Sequence, residues 1–198
     1  MAKSSFGAKK SGGAVDLDRE IAVVGTLAYP YFAVPDEQSG KYSCILIVEN
    51  DESTLAELRE LVADHAEALC GNRELNAKHI DPIRDGDEPG TNGGYAQKHP
   101  SFRGQTFFRA KSNYQPKCFE GEARTPVDVT EIRGGDKVIQ AVKAYHFNNQ
   151  SAGVSLSLNG VWRIAKGNVI IERGGGGGSS FSRFDAGKVK FSRGSGEF

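Results

Sequence analysis

The order of the periodic segments constrains this chain more than any other feature. Two short β-branched runs, 21–28 and 41–48, come first, one long amphipathic stretch follows, and every later periodic segment again reads as strand. In the long stretch Leu55, Leu58, Leu61, Val62, His65 and Leu69 recur at three- and four-residue steps, which predicts a helix with one apolar stripe. Ser53 is the predicted N-cap, Gly71 the stop, and Glu57, Glu60, Asp64 and Glu67 form a solvated acidic face. His65 lies near the stripe and is read as a packed imidazole. Pro30 is expected to end the first strand, and the turn signals from Asp81 to Pro100 predict a loop. Later strands are predicted over 105–112, 127–132, 137–147 and 154–165, with Gly134-Gly135-Asp136 turning between two of them. Without α/β alternation, the pattern argues for a small, mainly β barrel with one inserted α-helix.

The ends differ from the middle. Residues 1–18 read as a flexible basic arm, 19–173 as the folded domain, and 174–198, opening on Gly174–Gly178, as a disordered Gly-rich tail with too few apolar residues to fold alone. No apolar run approaches the ~20 residues that span a bilayer, so no membrane segment is expected. Cys44, Cys70 and Cys118 are far apart, odd in number and free of any C-x-x-C pair, which points to a reducing compartment rather than a zinc ribbon or redox dithiol.

The net charge is zero, but the charges are segregated. Residues 49–92 carry 12 acids against 4 bases, and residues 98–173 carry 12 bases against 6 acids. One half of the chain is therefore suited to a polyanion and the other is not.

Catalytic patterns are weak. The four histidines are isolated in sequence, and Asp81, Asp85 and Asp87 lack the closing Glu of a calcium loop, so neither a metal nor another cofactor is expected. No G-x-S-x-G, H-E-x-x-H or P-loop pattern occurs. A magnesium-dependent nuclease using those three aspartates ranks last, because they sit in the acidic half.

Binding patterns are stronger. Over 104–111 the two-residue period of a strand puts Phe107, Arg109 and Lys111 on one face and Thr106, Phe108 and Ala110 on the other. Arg103 precedes this row, Tyr114 and Lys117 follow it, and 98–117 holds five bases and no acid. A second row is Ala141, Lys143, Tyr145 and Phe147, opposite Val138, Gln140, Val142 and Ala144. A third closes on Trp162 and Arg163, although Trp162 shares its row with Ile164, which favours inward packing over an exposed platform. Tyr29 and Tyr31, around Pro30, join the candidate contacts. Rings that stack on bases beside cations that track phosphates are what a single-stranded nucleic acid requires, each stacked base contributing roughly 1–3 kcal/mol. The competing reading for each ring is core packing, and the competing reading for the chain is a virion structural or assembly protein built on a β-barrel.

The motifs G-T-L-A-Y-P-Y-F, G-K-Y-S-C-I-L-I-V, I-R-D-G-D, F-R-G-Q-T-F-F-R-A-K-S, P-V-D-V-T-E-I and V-K-A-Y-H-F-N-N-Q-S-A-G-V-S-L-S-L-N-G-V, in this order, resemble those of bacteriophage single-stranded DNA-binding proteins of the replicative type. The resemblance runs from about Val24 to Ala165. It implies an OB-like five-stranded barrel that coats single strands in the host cytoplasm during phage replication, recombination and repair, without sequence preference and without catalysis. It also implies contact with phage or host replication proteins through the C-terminal tail. It places Lys41 and Tyr42 on an early barrel strand, and Phe107, Arg109 and Lys111 in or beside the groove. One departure is plain. Such proteins often end in a strongly acidic tail, whereas residues 174–198 hold 4 bases and 2 acids.

Overall fold

The computed structural model describes residues 15–49, 51–89 and 100–168. The N-terminal arm up to residue 14 and the Gly-rich tail therefore lie outside the described residues. The first described residues already pack, since the carbonyl of Leu17 lies 3.1 Å from Nε2 of His65.

Among the described residues, eight strands and one α-helix follow in the order β1 (Glu20–Tyr31), β2 (Tyr42–Val48), α1 (Glu52–Cys70), β3 (Ile83–Asp85), β4 (Thr106–Ser112), β5 (Lys117–Glu120), β6 (Thr125–Pro126), β7 (Lys137–Asn148) and β8 (Ala152–Ala165). β1 pairs antiparallel with β2 on one side and β7 on the other; β2 continues to β4, and β7 continues to β8. The sheet closes on itself where β4 meets β8 in parallel, through Ala110↔Leu156 and Lys111↔Ser157. The result is a five-stranded barrel, which removes the open edges that a flat sheet would expose. β3, β5 and β6 extend it locally.

Alternation fills the interior. Val23 and Leu27 from β1, Cys44, Leu46 and Val48 from β2, Phe108 and Ala110 from β4, Val138 and Val142 from β7, and Val154, Leu156 and Leu158 from β8 form one core, joined by Leu58, Leu61 and Val62 of α1. Each Val, Leu or Phe among them, once fully buried, contributes about 1.5–3 kcal/mol. α1 packs mainly on β7, and Asp64 of its expected solvated face is instead largely buried and ion-paired with Arg19 and Arg73.

Several local expectations are corrected. The N-cap is Asp51, whose carboxylate accepts from Thr54 N–H at 2.9 Å and from the hydroxyls of Ser53 and Thr54; Gly71 stops the helix as expected, at φ 69°. These hydrogen bonds hold the Asp51 carboxyl down at about 2. β1 runs through Pro30 rather than ending before it, because a register break between Ala28 and Tyr31 spares the missing N–H, with Tyr29 at φ 48°. The 127–132 segment is not a strand. Asp128 caps a single 3-10 turn over Val129–Glu131 and diverts the backbone from any ladder. The expected loop after Asp81 contains β3, paired with β4.

Candidate nucleic-acid interface

The outward row of β4 is the one the alternation gives: Phe107 pairs across to Ile47, Arg109 to Ile45 and Lys111 to Ser43. β3 adds Arg84 opposite Phe107, and β8 adds Ser157 beside Lys111. Between these strands lies a cleft of about 280 Å³ with Ile45, Phe107, Phe147 and Val154 in its lining and Arg84, Arg109 and Lys111 as its cations. One acid, Asp81, also lines it.

A main-chain contact builds one wall. Ile80 donates to the carbonyl of Ala152 at 2.9 Å and accepts from Val154 N–H at 3.0 Å, which clamps the 80–82 segment onto the β7–β8 hairpin. Gly153 makes this possible, since a Cβ there would lie 2.5 Å from the Ile80 carbonyl oxygen.

The cations crowd one another. Burial pulls the Lys111 ammonium below its ordinary basicity, Arg109 and Lys41 pull it further, and Asp36 opposes them. Lys41, expected on the strand, stands just before β2 at the end of the loop that carries Asp36, whose N–H donates to the Lys41 carbonyl at 2.9 Å. Like charges held this close are relieved by a bound polyanion.

The rings distribute less uniformly than the sequence suggests. Tyr31 shares a register row with Ser43 and Lys111. Tyr42 starts β2 opposite Ser112, and Tyr114, 81% exposed, stands on the turn after β4. That turn is tied to the β1–β2 loop by Gln115, which donates to the Phe32 carbonyl at 3.0 Å. Tyr29 is half-buried against a small outer cluster of Ala28, Ile45, Ile47, Phe102 and Phe107.

Phe107 faces outward from the barrel, as expected, but it is only 2% exposed. Phe102, from the short turn Pro100–Phe102, covers it edge-on with ring centroids 4.9 Å apart. In this form Phe107 offers no open face for stacking; it packs beneath the cleft. Arg103 is exposed just after that turn.

On β7 the second row is also as expected. Lys143, Tyr145 and Phe147 point outward, pairing with Ser157, Ser155 and Gly153 of β8. Phe147 and Ser155 line the cleft, and Ser157 stands between Lys111 and Lys143, so the row continues the cleft around the barrel.

The third row is corrected. A register shift near Asn159 changes the parity of β8, so Val161 and Arg163 turn inward while Trp162 and Ile164 turn outward. Arg163 is 3% exposed and ion-paired with Glu120 and Asp136, so its charge is spent inside the molecule. Trp162 and Lys117 belong to a different flank, where Lys117 pairs with Gly160 and Trp162 lies between Ile139 and Phe119. Arg84 was hidden from sequence reasoning inside a turn-rich stretch, and only its pairing with Phe107 reveals it. Among the described residues, no group of three or more His, Cys, Asp or Glu could hold a metal ion, and no helix is long and apolar enough to cross a membrane.

Comparison with known proteins adds to this geometry. The family model described as the single-stranded DNA-binding protein of Enterobacter phage Enc34 matches residues 28–192. The solved structure of the bacteriophage Enc34 single-stranded DNA-binding protein in complex with single-stranded DNA is similar at a TM-score of 0.58 and 19% identity, over 76% of this chain and 88% of that one. The same protein without DNA gives 0.58 at 18% identity, over 83% and 88%. The single-stranded DNA-binding protein gp2.5 of bacteriophage T7 gives 0.54 at 16% identity, over 77% and 95%. No curated protein matches the chain in sequence.

Proposed function

The chain belongs to the phage Enc34 single-stranded DNA-binding protein family, and from that premise we propose that it binds single-stranded DNA across the cleft on β2, β4 and the β7–β8 hairpin. The observation that carries this reading is that Arg84, Arg109 and Lys111 line one cleft together with Phe147. Phosphates run past Arg84, Arg109, Lys111 and Lys41, while bases lie against Phe147 and reach Tyr31, Tyr42 and Tyr114 at one end and Tyr145 at the other. Lys143 extends the phosphate track beyond Ser157. Tyr29, Arg103 and Phe107 act as the frame of this surface. The outer face of an OB barrel's second and third strands, with the loops beside it, is where such folds take oligonucleotides, and β2 and β4 hold those positions here.

Binding of this type depends on charge and stacking, not on base edges, so it is independent of sequence and steeply weakened by salt. The protein acts by coating the strand, without catalysis, in phage DNA replication, recombination and repair within the host cytoplasm. Phage or host replication proteins meet the chain through its C-terminal stretch. The test is a competition on labelled oligo-dT in a salt series. Unlabelled single strand is expected to displace the label far better than duplex of equal length; equal displacement would overturn the reading.

A further inference from the structure

A second concavity, of about 350 Å³, lies on the outer flank of β1, β7, β8 and β5 and shares no lining residue with the cleft. Its shape follows from register. Ala22, Ala141 and Gly160 stand side by side across β1, β7 and β8, a floor with almost no side chain. One residue pair along, Ile139, Trp162 and Phe119 stand in the next outward row and make an apolar wall. On the other side is Glu20, whose carboxylate accepts from Asn159. Trp162 is held firmly: its indole N–H donates to the Gly121 carbonyl at 2.8 Å, and the Arg124 guanidinium lies 4.5 Å from the ring centroid. This slot takes one flat apolar side chain, and its lining balances one acid, Glu20, against one base, Arg124, the latter engaged on the Trp162 ring.

The chain carries a matching element. Phe-Ser-Arg occurs twice after the last described residue, at 181–183 and 191–193. In an extended segment Phe and Arg two residues apart fall on one face, about 6.6–6.8 Å apart. Ala22 and Glu20, two residues apart on one face of β1, have the same spacing. From the end of β8 at Ala165 to Phe181 the chain can reach about 50 Å, and Trp162 is only three residues back from that end.

We propose that the slot docks a Phe-Ser-Arg segment of this chain's own C-terminal stretch. The ring of Phe181 or Phe191 lies over Ala22, Ala141 and Gly160 beside Trp162, and Arg183 or Arg193 pairs with Glu20. The basic stretch is thereby kept on the flank away from the cleft, which leaves the cleft open to a nucleic acid.

Trp162 is the chain's single tryptophan and reads the slot directly. In the full chain without DNA, the double variant Phe181→Ala/Phe191→Ala is expected to shift Trp162 emission to the red and raise its quenching by acrylamide. Glu20→Arg is expected to do the same, and adding Arg183→Glu and Arg193→Glu to it to restore shielding. Unchanged circular dichroism of each variant confirms folding. Emission and quenching identical to the parent in the double-Phe variant would overturn the proposal. That result would leave the cleft reading intact, because no DNA enters the measurement and oligo-dT binding by the same variant is assayed separately.

Discussion

Ile80 runs against Gly153 so closely that its main chain bonds to both neighbours of that glycine, to the Ala152 carbonyl and from the Val154 N–H. The contact joins a segment after the helix to the last hairpin and forms one wall of the cleft. Gly153→Ala puts a methyl group 2.5 Å from the Ile80 oxygen. Urea unfolding is expected to show a loss of about 1–3 kcal/mol, since backbone must move to admit it. Oligo-dT affinity falls with it, because the wall is displaced.

Arg109 is exposed on β4, on the lining of the cleft. Arg109→Ala is therefore expected to leave the melting temperature unchanged while weakening oligo-dT binding. The plot of log affinity against log salt becomes shallower by about 0.7 for each phosphate left without its cation. A slope equal to the parent's would mean that Arg109 touches no phosphate.

Phe107 tests packing against stacking. It is buried against Phe102, so Phe107→Ala is expected to cost about 3–5 kcal/mol in chemical denaturation, as aromatic deletions in packed sites do. Phe107→Leu keeps an apolar side chain under the cleft, costs less, and leaves oligo-dT affinity as in the parent. Loss of affinity in a well-folded Phe107→Leu protein would show that the ring itself meets a base.

Much of this architecture was legible because strands report themselves through alternation. The parity of Phe107, Arg109 and Lys111, and of Lys143, Tyr145 and Phe147, needs nothing beyond a period of two. What failed did so for local reasons. A period of two cannot survive the extra residue near Asn159, so Arg163 rather than Trp162 takes the inward position. Three residues of β3 and four of β5 are too few to show a period. The cover on Phe107 comes from Phe102 through a turn, and no pattern in sequence encodes that approach. Asp51 and Ser53 are both good caps, and only the carboxylate reaching Thr54 N–H decides between them.

His65 links the helix to the ends of the fold, with Nδ1 3.3 Å from Nδ1 of His146 and Nε2 beside the Leu17 carbonyl. Burial holds its imidazole below the ordinary histidine value, against the Leu17 carbonyl; His146 pulls it further down, and Asp64 and Asp18 oppose. The unfolded chain takes up this proton near pH 6.5, before the native state does. Stability is therefore full above that value and falls as pH drops through it, levelling once the folded imidazole is charged. Thermal unfolding from pH 8 to pH 5 is expected to show this decline in the parent and a flatter dependence in His65→Gln.

The thiols divide by burial. Cys44 and Cys118 are buried, and burial raises both, Cys118 to about 11, while Cys70 is exposed at the helix end. A thiol reagent at neutral pH is expected to label one cysteine per native chain and three after denaturation.

The seam that closes the barrel is narrow. Only Ala110 and Lys111 of β4 pair with Leu156 and Ser157 of β8, and the proposed track crosses at that point, from Lys111 over Ser157 to Lys143. A nucleic acid lying there would grip both lips of the joint. The ligand then doubles as a clasp: occupancy resists the splaying of β4 from β8, and a strand long enough to span the joint protects the barrel from unfolding more than its affinity for either lip alone would.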